Sequence, residues 1–487
     1  MKIIFDKSVK GRRGVTLPQP ESGVASKLAI ADNYLRAQPA ELPELSELDV
    51  IRHFTHLSNR NFSIDSGFYP LGSCTMKYNP KICEKVAALE GFAGLHPFLP
   101  QLQHGDTLTQ GALNVLYELE GLLCEISGMA ACTLQPLAGA NGELTGMMLI
   151  AAYHKDKGNT DKKEILIPDE AHGTNPASAA IAGFVIRPVP TDQTTGMLDI
   201  KALEAMVSEK TAGIMLTNPN TLGIFNSDVD KVVEIAHRHG ALVYYDGANL
   251  NAVLGEFRPG DAGIDVMHIN LHKTFATPHG GGGPGAGPVC VRENLVDYLP
   301  ISRIVKRQDD TFSLDYDFPK SIGSVAPFYG SFLVCLKAYV YILSLGKEGL
   351  NEASRNAVLN ANYVMTLLKD DFDLPYDRSC MHEFVLSATR QVKHGVHALD
   401  IAKALMDRGF HPPTVYFPLI VKEAMMIEPT ETESKETLDS FIQAMKSIAA
   451  AAQSDPASLH AAPVTTRVSR PDEVRAARAM DFNYVPG

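Results

Sequence analysis

The chain has 487 residues, a formal net charge of −12 and a pI near 5.7. With 45% hydrophobic and 21% charged residues, it can bury a large core and should divide into two or more domains. The acidic balance gives no electrostatic reason to expect a nucleic acid or an anionic membrane as partner. Apolar runs such as 147–152 are far shorter than the ~18 residues of a membrane span, and residues 1–14 lack the apolar core of a signal peptide. We therefore expect a cytoplasmic protein.

The seven cysteines are scattered along the chain without the paired spacing of metal ligands. Their number is odd, so at least one remains free in a monomer. In a long chain of this kind the pattern favours reduced thiols, and it predicts no metal site.

Residues 1–70 are predicted to form an extended arm with small helices, because prolines interrupt short polar stretches. These prolines are Pro18, Pro20, Pro39 and Pro43. A helix should then run from Asp106 to a terminator at Gly128, since apolar residues recur at steps of three and four. Five predicted strands follow, separated by amphipathic stretches, at 131–134, 164–167, 185–189, 213–217 and 241–246. Asp228 should cap the helix that precedes the last of these strands.

This alternation predicts an α/β fold over residues 71–330, with a mostly parallel sheet and helices on both faces. In such a sheet ligands bind beyond the carboxyl ends of the strands. Past about residue 330, a long apolar helix at 328–345 should lead into a smaller C-terminal domain. That domain, residues 331–487, looks α+β because segments 383–387, 398–409 and 435–450 read as mixed strand and helix.

Lys273 lies between a predicted strand and a glycine-rich loop, within the segment 270–287. A lysine whose surroundings lower its pKa is suited to imine chemistry, and glycines at 280–283 would allow a mobile flap. Taken alone, a lysine beside glycines is more often a surface lysine before a turn. Asp246 ends a predicted strand, where a carboxylate could face a pyridine nitrogen and keep it protonated. Its alternative role is to cap the following turn.

A strand-end aspartate followed by the pair His272 and Lys273 resembles the fold-type I pyridoxal-phosphate enzymes. That resemblance implies that Lys273 carries pyridoxal phosphate covalently and that Asp246 maintains the ring as an electron sink. It also implies that Ala248 lies against one face of the ring and that His172 stacks on the other. A histidine after a strand is otherwise more often just a satisfied polar residue.

The phosphate of the cofactor is expected at the start of a helix, where exposed amides bind anions well. The candidates there are Ala140, Asn141 and Gly142, although a plain strand-to-helix turn is the alternative. Asn270 and His272, which flank the lysine, could add donors to the phosphate. Asn218 could hydrogen-bond near the phenolic oxygen of the cofactor, but a turn-forming Asn-Pro pair would look the same.

Three long segments narrow the family: 69–80, 270–287 and 423–436. Together they closely resemble the P-protein family of the glycine cleavage system, and the likeness runs from about residue 60 to 440. The single-chain form of that enzyme has two related halves, of which only the second carries the lysine. This chain resembles the second half, which implies a lysine-bearing subunit 2 in a heterotetramer with a homologous lysine-less subunit 1.

The resemblance implies a reaction as well as a fold. Glycine would lose its carboxylate as CO2, and the aminomethyl group would pass to the lipoyl disulfide of a separate H-protein, which makes the enzyme an oxidoreductase. Segments 69–80 and 423–436 would then form an active-site wall, although both could be solvated loops. Two alternatives stay open: another fold-type I decarboxylase or aminotransferase, and a non-catalytic scaffold subunit. Retention of both Lys273 and Asp246 argues against the scaffold.

Overall fold

The computed structural model describes residues 3–18, 30–38, 40–102, 104–280 and 285–481. It divides into two compact units, Met1–Ser66 with Arg470–Gly487, and Gly67–Ser469. The domain boundaries expected near residues 70 and 330 stay predictions.

The first unit contains little regular structure. Its helical segments are the 3-10 turns Phe5–Lys7 and Asp32–Tyr34, the helix α1 (Glu47–Ser58) and a last helix, Glu473–Arg478. The α1 helix begins where the Ser46 side chain accepts the Asp49 N–H, which is an N-cap. Two prolines of the predicted arm, Pro20 and Pro39, lie outside the described residues.

The second unit holds the sheet and the other helices. Its helices are α2 (Lys81–Ala87), α3 (Glu90–Ala93), α4 (Gln110–Ser127), α5 (Gly139–Asp156), α6 (Thr174–Ile181), α7 (Ile200–Met206), α8 (Val229–Arg238), α9 (Leu271–Thr274), α10 (Phe332–Leu368), α11 (Thr389–Val392), α12 (Ala398–Met406), α13 (Lys435–Ser454) and α14 (Pro456–Ala461). Its strands are β1 (Ala131–Thr133), β2 (Glu164–Pro168), β3 (Val185–Val189), β4 (Thr211–Thr217), β5 (Leu242–Gly247), β6 (Val266–Ile269), β7 (Val289–Val291), β8 (Arg303–Lys306), β9 (Phe312–Asp315), β10 (Phe384–Ser387), β11 (Thr414–Val415) and β12 (Ala424–Ile427).

Seven strands form the main sheet in the order β1-β7-β6-β5-β4-β2-β3. Strands β3, β2, β4, β5 and β6 are parallel to their neighbours, and only β7 pairs antiparallel, with β6 and β1. The predicted mostly parallel sheet is therefore confirmed. Strand β6 is the strand predicted before Lys273, whereas β7 had no counterpart among the predicted strands. The carboxyl ends of β4, β5 and β6 meet at one edge of the sheet, which places the functional residues that follow them together.

Both faces of the sheet are covered, as the alternation of strands and helices predicts. Successive residues of a strand point to opposite faces. Val243 and Tyr245 of β5 pack in one buried cluster with residues of α4, α8 and α10, whereas Leu242 and Tyr244 pack in another with residues of α5. A further cluster joins the second half of α10 to α12, α13, β10 and β12. Among the described helices, none combines the length and apolarity needed to cross a bilayer.

Two predicted helix boundaries and one predicted capping contact are wrong in detail. The helix expected from Asp106 begins at Gln110, because 105–108 form a 3-10 turn, but it ends as predicted at Gly128, whose φ is 74°. Asp228 stands at the N-cap of α8, yet its carboxylate accepts no backbone N–H and pairs instead with Lys231 at 2.7 Å. The helix expected at 328–345 is α10, which is longer and is interrupted at Gly346.

Candidate active site

Asp246 is the last residue but one of β5, at the carboxyl end of this central strand, and is buried with 2% of its surface exposed. Its Oδ1 accepts the Ala248 N–H at 3.0 Å, and Thr217 donates to its Oδ2 at 3.4 Å. Burial alone would raise the pKa of Asp246, but His268, the Ala248 N–H and Lys273 outweigh it and hold the pKa below its ordinary value. Asp246 is therefore a buried carboxylate at neutral pH, which the turn-capping alternative by itself does not require.

His268 is the neighbour of Asp246 that the sequence analysis missed. The two are direct partners in the β5–β6 register, and His268 Nε2 lies 3.5 Å from Asp246 Oδ1. Burial raises the pKa of Tyr244 far above its ordinary value, and Tyr244 Oη lies 2.5 Å from His268 Nδ1. Burial also lowers the pKa of His268, so its ring is neutral at pH 7. If Tyr244 donates to Nδ1, the ring proton is on Nε2 and faces Asp246. A strand was predicted before Lys273, but its bounds and its pairing with β5 were not. With that pairing, the sequence would have placed His268 beside Asp246.

Lys273 follows β6 directly, in the single helical turn α9, and is partly buried. Its ammonium acts on the pKa of Asp246 and of His172, so the structure brings these three predicted residues together. His172 Nδ1 lies 2.9 Å from Thr174 Oγ1, and burial, followed by Lys273, lowers the pKa of His172. His172 is exposed, and Ala248 is only partly buried. Stacking on a ring stays a prediction for both.

The start of α5 gathers the predicted phosphate-binding groups. The N–H groups of Gly139, Ala140 and Asn141 occupy the first turn of the helix, where a helix offers them no internal acceptor. A Cβ on Gly139 would lie 2.4 Å from Asn270 Oδ1, so the Asn270 amide sits against this helix end. Asn270 Oδ1 and His272 Nδ1 are buried without a partner among the described residues. The free N–H groups at this helix N-terminus suit an anion, and His272 Nδ1 could add a donor, whereas Asn270 Oδ1 can only accept hydrogen bonds.

Two predicted cofactor residues are engaged elsewhere. The Gly142 N–H donates to Ala138 O at 2.9 Å, and a Cβ on Gly142 would lie 2.6 Å from Gly287 O, so this glycine allows close packing. The Asn218 side chain accepts the Asn226 N–H at 2.8 Å and donates to Asn226 O at 3.3 Å. The geometry of Asn218 is thus that of the turn-forming alternative. Glycines 281–283 of the predicted flap lie outside the described residues.

Comparison with known proteins shows the family. A family model described as glycine cleavage system P-protein matches residues 22–313, more than half of the chain. The chain belongs to this family. A model described as glycine dehydrogenase, C-terminal domain, matches residues 353–462. Relatives named probable glycine dehydrogenase (decarboxylating) subunit 2 include one from Listeria innocua, 54% identical over 99% of this chain and 98% of the relative, and one from Bacillus velezensis, 55% identical over 99% and 97%.

Solved structures show the fold. A crystal structure of glycine decarboxylase (P-protein) in inhibitor-bound form matches with a TM-score of 0.74 at 21% identity, over 89% of this chain and 100% of that chain. The glutamate decarboxylase of Lactobacillus brevis matches with a TM-score of 0.63 at 13% identity, over 85% and 96%. The predicted fold-type I class is therefore confirmed.

The P-protein family segments meet at Lys77, a buried lysine of the segment 69–80. Its ammonium donates to Glu431 Oε1 at 2.8 Å, Asn251 Oδ1 at 2.9 Å and Tyr341 Oη at 3.2 Å. It also donates to Thr274 O at 2.7 Å, the carbonyl of the residue after the candidate lysine. Lys77 therefore ties the segments 69–80 and 423–436 to the backbone of α9. The sequence marked these segments as a wall without a role for either residue.

Glu143 is a further acidic group near Asp246 that received no predicted role. It is 6% exposed and accepts the Thr174 hydroxyl at 2.9 Å and the Ser178 hydroxyl at 3.4 Å. Burial, with Asp246 as the second cause, raises the pKa of Glu143 to about 7. The available signal was a glutamate within the first turns of an otherwise apolar helix.

Proposed function

We propose that this chain is the lysine-bearing subunit of a glycine-decarboxylating P-protein, and that Lys273 binds pyridoxal phosphate covalently. The observation that carries the proposal is the position of Lys273, directly after β6 and beside the buried Asp246 carboxylate at the carboxyl end of β5. Membership of the P-protein family supports this reaction over an aminotransferase or a scaffold subunit.

The residues fit this cofactor on their own chemistry. The N–H groups of Gly139, Ala140 and Asn141, with donors from the Asn270 side-chain NH2 group and from His272 Nδ1, would hold the phosphate. Gly142 has no part in this set, and Asn218 is not assigned to the phenolic oxygen of the cofactor, because their polar groups are bonded within the fold.

The remaining contacts would hold the cofactor ring. Asp246 would hold a proton on the pyridine nitrogen, since its pKa lies below the ordinary value and it stays ionised. His268 Nε2, 3.5 Å from Asp246 Oδ1, adds to the preference of Asp246 for the ionised form. Ala248 and His172 would confine the ring from its two faces.

Pyridoxal phosphate, when bound, supplies an electron sink for the pair that glycine releases as its carboxylate leaves as CO2. The burial of Asp246 and Asn270 excludes water from the groups that hold it. Lys77 and Glu431 fix the backbone at Thr274 and so the starting point of the Lys273 side chain. The electron acceptor in this proposal is the lipoyl disulfide of H-protein.

The assembly is also part of the proposal. The relatives are named subunit 2, which supports a partner subunit for this chain, and we propose a heterotetramer with a lysine-less subunit 1. A cytoplasmic location stays a prediction from the composition.

The test is exchange of labelled CO2 into the carboxyl group of glycine, measured on this chain co-purified with subunit 1. Exchange should require lipoylated H-protein and should be lost in Lys273→Ala. Lys155→Ala, an exposed lysine on α5, is the matched control and should exchange normally. Exchange at the normal rate in Lys273→Ala would overturn the proposal.

A further inference from the structure

A buried acidic cluster beside the candidate site has no part in the reaction described so far. It consists of His382, Glu383 and Glu428, each 0% exposed, with one oxygen or nitrogen of each within 4.8 Å of the others. His382 Nε2 lies 3.8 Å from Glu383 Oε1 and 3.9 Å from Glu428 Oε1, which is too far for hydrogen bonds. Among the described residues, both His382 nitrogens and Glu383 Oε1 have no partner. Such atoms call for a ligand.

The segment 69–80 fixes the two glutamates through strained backbone. Ser73 and Thr75 have φ values of 63° and 48°, a region that non-glycine residues rarely adopt outside functional sites. The Ser73 N–H donates to Glu383 Oε2 at 2.6 Å. Thr75 donates to both oxygens of Glu428, from its N–H at 2.8 Å and from its hydroxyl at 2.5 Å. Glu428 is thus satisfied at both oxygens, whereas Glu383 keeps Oε1 open.

The charges around the pair decide which glutamate holds a proton. The ionisable groups that act on it are Lys273 on α9, Cys74, Glu431 and His382, and arginine is not among the leading causes for either carboxyl. Two buried carboxylates this close favour one shared proton. Burial first raises the pKa of Glu383 far above its ordinary value and that of Glu428 to about 7. Because Thr75 stabilises ionised Glu428, the proton belongs on Glu383.

We propose that protonated Glu383, with His382 beside it, forms the subsite for the carboxylate of the amino-acid substrate. This inference rests on the proposed function, in which that substrate is glycine. The Glu383 hydroxyl would donate to one carboxylate oxygen, and a His382 N–H would donate to the other. His382 is neutral at pH 7, because burial, followed by Lys273, lowers its pKa to about 3.

Neutral donors suit a carboxylate that must leave. Charged donors such as arginine bind carboxylates more strongly, and binding that is lost as CO2 departs stabilises only the ground state. Uncharged Glu383 and His382 would hold the carboxylate in place and stabilise the ground state less than arginine would. The bond between the α-carbon and the carboxylate breaks without a proton leaving Glu383, so the subsite returns unchanged.

A metal ion is the competing occupant of this cluster. It would require both glutamates ionised and free to bind, whereas Thr75 already occupies both oxygens of Glu428. Lys273 lowers the pKa of both carboxyl groups, but burial and the repulsion between the two carboxylates outweigh it and favour the shared proton.

The first test compares glycine with methylamine, which lacks the carboxylate, by titrating the absorbance of the bound cofactor in the complex with subunit 1. Glu383→Ala should weaken glycine binding by about 10- to 100-fold, which is the loss expected for a hydrogen bond to a charged group. The affinity for methylamine should not change. Glu383→Gln keeps an N–H donor that cannot ionise, so it should keep glycine binding. Glu352→Gln, an exposed glutamate on α10 outside the site, is the control and should match the unsubstituted chain.

The second test uses pH. Below the pKa values of both amines, the ratio of glycine to methylamine affinity does not depend on amine ionisation, so it reports the subsite alone. The ratio should fall as pH rises and the pair loses its proton, and Glu383→Gln should flatten the profile. A flat ratio in the unsubstituted complex would overturn the proposal.

The third test needs neither cofactor nor activity. Infrared difference spectra of the cofactor-free protein should show a protonated carboxyl band that Glu383→Gln removes. A stoichiometric metal that Glu383→Ala releases would overturn the proposal, as would equal losses of glycine and methylamine in that variant. Failure to bind pyridoxal phosphate or glycine at all would instead refute the proposed function.

Discussion

Lys77→Met tests whether the buried ion pair with Glu431 organises the wall of the site. Methionine keeps the length and apolar body of the side chain but removes the ammonium. Lys77 is 3% exposed and the side chain of Glu431 8% exposed, so the variant leaves a carboxylate buried without its cation. Breaking such a pair costs about 3–5 kcal/mol in free energy of unfolding. Asn251 still donates to Glu431 Oε2 at 3.2 Å, which favours the lower end of that range.

The assay is urea denaturation at one fixed protein concentration. Lys435→Met is the matched control, because Lys435 pairs with Asp439 at 2.6 Å in the open and its loss should change little. The double variant with Glu431→Gln should recover part of the loss, since the uncompensated charge is then gone. Equal stability of Lys77→Met and Lys435→Met would refute the reasoning. The lost contact with Thr274 should also lower cofactor occupancy.

Three further predictions address the electron sink, pH and assembly. Asp246→Asn should lower kcat by about 100- to 10,000-fold, the range for a positioned proton-holding group, and change glycine binding far less; unchanged kcat would contradict its role. Burial raises the pKa of Glu170 from 4.5 to about 7, so the native state binds the extra proton and stability falls as pH rises across that interval. Glu170→Gln should flatten this part of the stability profile measured by urea denaturation, and an unaltered slope would contradict the shift. Expressed alone, the chain should self-associate or bind cofactor poorly, whereas co-expression with subunit 1 should restore activity. Light scattering measures the association, and the exchange assay measures the activity. Full activity from the chain with H-protein alone would refute the two-chain assembly.

The parts of the fold that follow from local pattern were predictable. The strand that carries Asp246 near its carboxyl end is a continuous apolar run. Because parallel strands present their carboxyl ends at one edge of the sheet, the position of Asp246 near Lys273 could be expected. The helix ending at Gly128 follows from apolar periodicity and a glycine in the left-handed region.

Contacts that join distant segments were not predictable from one sequence. His268 reaches Asp246 through strand register, and β6 has only four residues between loops. Lys77 and Glu431 are 354 residues apart, and no periodicity marks them as a pair. The engagement of Asn218 by Asn226 depends on how a loop closes, which composition does not determine.

The bond between Lys273 and the cofactor is the central claim, and borohydride trapping tests it most directly. The complex with subunit 1 would be loaded with pyridoxal phosphate, reduced, digested and examined by peptide mass spectrometry. The account predicts that the mass of the reduced cofactor lies on Lys273 and that Lys273→Ala carries none. Label on another lysine of the site, such as Lys77, or no label on a complex that has bound the cofactor, would contradict it.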